Sequence, residues 1–185
     1  MLLSHEELLK VGKRGDIIVL TSIGFDPIGG SVRWWTGSEY SHTAIYLGDG
    51  EIVEAIYTGV HKVKWTETPY ATTYKAVILR PAATTEQIEA ALEYAQSKVG
   101  LKYDYLLFFA TAPLILLTRL GFPLRGVRNY LDIHKAYICI ELVVDSYFEA
   151  SAIILIASHI NRSQAIPDDL IRNSCNMEQV GAYNV

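Results

Sequence analysis

Cysteine is nearly absent from this 185-residue chain, which has two, Cys139 and Cys175. Two thiols cannot build a disulfide scaffold, and their settings differ: Cys139 lies among Ile138 and Ile140, whereas Cys175 lies in a polar tail, so no pairing is expected. Charge is sparse as well. Charged residues make up 19%, and 20 acidic against 16 basic side chains leave a net charge of -4, so nothing marks nucleic acid as a partner. Long apolar runs are missing. The longest, Tyr105 to Thr118, contains Pro113 and falls short of the roughly 20 residues a membrane-spanning helix needs. The first residues, Met1 to Glu7, have neither the basic start nor the apolar stretch of an export signal, so a cytoplasmic location is expected. No repeat or low-complexity linker divides the chain, and one domain over 1–185 is expected. His5, His42, His61, His134 and His159 show no metal-ligand spacing. No glycine-rich phosphate loop and no serine elbow occurs either. Neither metal nor cofactor is expected.

Apolar residues, by contrast, make up half of the chain, enough to bury a core without staples. Ser4 followed by Glu7 reads as a capping box opening a short helix. Ile17 to Thr21 reads as a buried strand, 22–40 mostly as loop, and 41–47 with 51–57 as a hairpin around Gly48-Asp49-Gly50. Two further strands are expected over 59–65 and 74–79. Thr84 and Gln87 cap a helix that ends near Gly100. The spacing of Cys139, Leu142, Val143 and Ser146 predicts a second helix over 137–150. The run 152–157 fits a strand or a helix end, and the tail from Asn161 reads as mostly polar.

Three residues invite a chemical reading. Cys139 falls where helical spacing begins, and a helix N-terminus favours a thiolate; the competing reading is a buried structural cysteine. His42 opens a strand. Glu54 sits mid-strand among Ile52, Val53, Ala55 and Ile56, where a carboxylate needs a partner. Register decides whether that partner is His42. A two-residue turn places Ile45 opposite Glu54 and sends His42 to the other face. A three-residue loop places Ala44 opposite Glu54 and makes His42 its diagonal neighbour. The chemistry therefore requires an odd loop. Cys175 has no nearby base and reads as a bystander. Trp34, Trp35 and Tyr40 are candidates for a substrate groove, with a core or dimer contact as the alternative for the two tryptophans.

The ordered set Gly15-Asp16, Ser41-His42-Thr43-Ala44-Ile45, Glu54-Ala55, Gly59-Val60, Gly100 to Asp104, Cys139 to Val143 and Ile166 to Leu170 resembles the permuted papain-like hydrolases of the YiiX type. These are relatives of NlpC-type peptidases and lecithin–retinol acyltransferases. The resemblance implies an α+β, circularly permuted papain-like fold, with an antiparallel sheet packed on the helix bearing the cysteine. It also implies Cys139 as nucleophile, His42 as base, Glu54 as orienting group and Tyr103 as oxyanion candidate. A peptide, amide or acyl substrate follows, with amidase or peptidase chemistry first. A lipid acyltransferase or thioesterase and a catalytically silent binding module are the alternatives. Ile140 stands where the family carries a small serine, which would narrow access to the thiol. The stretch 106–135 joins two Leu/Phe clusters to basic residues; over 101–136 the balance is +3. Its two readings are a core helix and a lipid-docking surface.

Overall fold

The computed structural model describes residues 3–22, 27–70, 74–103, 136–158 and 165–183. The apolar-basic stretch 106–135 lies outside them. Helix α1 (His5–Val11) starts at Ser4, whose side chain accepts the Glu7 N–H. Strand β1 (Ile17–Ser22) leads to helix α2 (Pro27–Thr36), then β2 (His42–Gly48), β3 (Glu51–Ile56), β4 (Gly59–Lys64) and β5 (Tyr74–Pro81). Helix α3 (Thr85–Ser97) carries the full Thr84/Gln87 capping box. Short strands β6 (Lys102–Tyr103) and β7 (Ala136–Tyr137) pair in parallel just before helix α4 (Cys139–Ser151). A short helix, α5 (Asp169–Arg172), and strand β8 (Met177–Tyr183) follow.

The result is a mixed α+β fold around an antiparallel sheet of order β4-β3-β2-β1-β5-β8. Both faces are covered, which explains the unbroken apolar run Ile17 to Leu20. Ile17, Val19, Ile45, Val53 and Val77 point to α3 and α4. Ile18, Leu20, Ala44, Ile52 and Ile78 meet Leu3, Leu8, Trp65 and Tyr70 on the other side. The Gly15-Asp16 pair serves this scaffold. Gly15 has φ +86 and accepts the Tyr147 hydroxyl at its carbonyl, while buried Asp16 takes two bonds from Arg80 and one from the Lys13 N–H.

Two expectations need correction, and the polar tail gains an element. Residues 27–36, read as loop, form α2: Pro27 opens it at the position proline tolerates, although Gly29-Gly30 lower its helix propensity. The polar tail contributes the edge strand β8, where one solvated side lets polar residues alternate. The β2–β3 turn holds two residues, not three, with φ positive at both Asp49 and Gly50, the signature of a type I′ turn. A bulge between Tyr46 and Gly48 supplies the odd residue instead, and Ala44 still stands opposite Glu54.

Candidate active site

Cys139 is the first residue of α4 and is buried. Its N-cap, Ile138, contributes no side-chain cap, so the first amides of α4 have no partner from that side chain. His42 opens β2 and lies at the end of the strand where α4 begins. Cys139 lies close enough for it and His42 to shift each other's titration, while His42 Nε2 lies 2.6 Å from Glu54 Oε2. With Nε2 engaged by the carboxylate, Nδ1 is left for the thiol. The bulge makes this alignment possible, because it keeps His42 and Glu54 on one face of the hairpin.

The electrostatics favour an ion pair. Burial pushes the Cys139 thiol up, but the hydrogen bond and charge of His42, with the Thr43 hydroxyl and backbone, outweigh it and hold the thiol below its ordinary range. Burial pulls His42 down; its bonds to Cys139 and Glu54 and their charges reverse this and raise it to about 10. Both shifts favour thiolate beside imidazolium.

Two residues that the sequence reading missed complete the site. Tyr70 donates its hydroxyl to Glu54 Oε2 at 2.5 Å, the same oxygen that meets His42. Its ring lies 5.5 Å from the His42 ring and packs on Trp65 and Tyr74. Burial, and then the Glu54 charge, push this phenol far above its ordinary range, so it stays a donor. Thr43 is the other: its fully buried hydroxyl makes no hydrogen bond among the described residues and contributes to holding the Cys139 thiol low. Adjacency to His42 was the available signal for Thr43, whereas nothing local to Tyr70 announces its role.

The remaining candidates are placed as follows. Tyr103 is half-buried on the core and pairs with Tyr137, two residues before Cys139. Tyr40 is half-buried against the same core, and burial raises its phenol. Trp34 stands 71% exposed on α2; Trp35 shares that helix, and its side chain lies outside the described set. Ile140, expected to narrow the approach to the thiol, is spent in the core with Leu142 and Val143. Buried Asp168 fixes the loop ahead of His42, accepting from the Ser38 hydroxyl and the Glu39 and Tyr40 N–H groups. Cys175 lies half-buried, and its N–H donates to Leu155.

No family model matches the chain, and no curated protein matches it. Among solved structures, the chain is similar in fold to the crystal structure of the metalloprotein YiiX from Escherichia coli O157:H7. The TM-score is 0.65 at 15% identity, over 93% of this chain and 98% of that one. Among the described residues, no group of three or more His, Cys, Asp and Glu side chains is arranged to hold a metal ion. At this identity the likeness is one of fold: a mixed α+β, antiparallel-sheet architecture of the YiiX type.

Proposed function

We propose that the chain is a cysteine hydrolase of permuted papain-like, NlpC-related design, acting on an amide bond of a peptide or small molecule. What supports this reading is the buried His42–Glu54 pair at 2.6 Å beside a thiol that His42 lowers at the start of α4. The Cys139 thiolate attacks the carbonyl carbon, forming a C–S bond and an oxyanion. The Cys139 backbone N–H, with the Tyr103 hydroxyl as a second donor, receives that oxyanion. Protonated His42 gives its proton to the leaving nitrogen as the C–N bond breaks, leaving an acyl-thioester. Neutral His42 then takes a proton from water, hydroxide attacks the thioester, and the acid departs as the thiolate reforms. Glu54 holds the imidazole in one orientation throughout. Trp34 and Tyr40 flank the substrate.

Mass spectrometry of the chain after exposure to a panel of amides, esters and thioesters tests this. An acyl mass on the Cys139 peptide is expected, absent in Cys139→Ala and slow to form in His42→Ala. Adducts from thioesters but not amides would favour a thioesterase or acyltransferase. No adduct from any class, together with an unreactive Cys139, would leave a silent binding module.

A further inference from the structure

We propose that Arg33 forms an anion subsite beside Cys139 and reads a carboxylate on the substrate about one residue's length from the scissile carbonyl. This deepens the hydrolase reading and rests on it. The described arginines are otherwise matched to carboxylates: Arg14 to Glu89, Arg80 to Asp16 and Arg172 to Asp168. Arg33 differs. Among the described residues its guanidinium meets two hydroxyls at the long end of hydrogen bonding, Thr21 Oγ1 at 3.3 Å and Ser41 Oγ at 3.5 Å. Among the described residues, the two buried acids near the site are committed elsewhere: Glu54 to His42 and Tyr70, and Asp168 to Arg172 and the 38–40 loop.

The location ties this cation to the chemistry. Ser41 directly precedes His42 and is tied to β1 by its N–H to the Leu20 carbonyl, and Thr43, two residues on, helps hold the Cys139 thiol low. Two extended residues span about 7 Å, so the Ser41 hydroxyl that Arg33 meets sits about one amino-acid length along the chain from Thr43. Gly30 keeps the flank beside Arg33 Nη2 free of a side chain. A planar guanidinium held by two buried hydroxyls, with donors to spare, matches a carboxylate in bidentate fashion.

Two alkylating probes that differ only in charge test this on the full chain: N-bromoacetylglycine and N-bromoacetylglycinamide. In each, the thiolate displaces bromide, and peptide mass analysis gives rates at Cys139 and Cys175. Relative to Cys175, Cys139 should prefer the carboxylate probe by roughly tenfold at low salt, and added salt should erode the preference. In Arg33→Gln the charge preference should collapse to that of Cys175, while Arg33→Lys should keep part of it. An arginine that merely ties α2 to β1 would slow both probes alike and leave their ratio unchanged, which overturns the subsite. If Arg33→Gln does not fold, the wild-type ratio and its salt dependence still decide. Neutral-probe labelling no faster at Cys139 than at Cys175 would instead overturn the reactive-thiol reading, whereas a reactive Cys139 without charge preference overturns the subsite alone.

Discussion

Glu54 occupies a strand position where Val or Ile would pack without cost, and at 2% exposure one of its carboxyl oxygens meets both the His42 ring and the Tyr70 hydroxyl. That arrangement governs the thiol. Because Cys139 sits below the ordinary thiol range, its thiolate is present above that lowered value and is lost as pH falls through it. Because His42 is raised to about 10, its imidazolium is present below that value and is lost as pH rises through it. Iodoacetamide should therefore label Cys139 faster than Cys175 at pH 6–7 by about tenfold or more, and His42→Ala should abolish the difference. Equal rates would refute the ion pair. Tyr70→Phe keeps the ring contacts with His42, Trp65 and Tyr74 but removes the bond to Glu54. Without that bond Glu54 holds the His42 ring less firmly, and His42 is the group that lowers the thiol. The acid limb of the Cys139 labelling profile should then move up by about one pH unit, with His61, cross-strand from Glu54 and bonded to Thr58, retained as it is. An unmoved limb would reduce Tyr70 to packing.

The hairpin β2–β3 shows how an element delivers chemistry. Its tight turn alone would send His42 and Glu54 to opposite faces, and the bulge before Gly48 restores the shared face. The next turn makes a different demand. Gly59 has φ +127, and a Cβ there would lie 2.5 Å from the Leu101 carbonyl, which accepts the Val60 N–H. Gly59→Ala should cost about 2–3 kcal/mol in chemical denaturation, and a loss under about 0.5 kcal/mol would contradict the close approach. Thr84→Ala removes half of the α3 capping box and should cost about 1 kcal/mol. Strands, capped helices and paired turns were legible because period and punctuation are local signals. Helix α2 was not, since Gly29-Gly30 argue against the helix that Pro27 begins.

Across the whole molecule, distant chain segments complete the site. Asp168, more than 100 residues after the loop it fastens, accepts three bonds from residues 38–40 and pairs with Arg172. Asp168→Ala should lower the midpoint of thermal unfolding through a loss of about 2–3 kcal/mol, and should slow Cys139 labelling because His42 follows that loop. Stability lost with labelling intact would separate the fastening from the site. Strand β8 closes the far side of β5 with the same tail that reads as mostly polar.

By itself the sequence determined the strand runs, the capped helices and the three residues Cys139, His42 and Glu54 as groups whose chemistry needed partners. Those features follow from side-chain type and short-range spacing, which a linear chain displays directly. Only the tertiary structure decided that the bulge aligns His42 with Glu54 and that Tyr70 shares the carboxylate. It also placed Arg33 beside Ser41 and tied Asp168 to the loop before His42. These contacts join residues far apart along the chain or depend on a one-residue change of register. Because side chains alternate faces with a period of two, that single residue decides which partners meet.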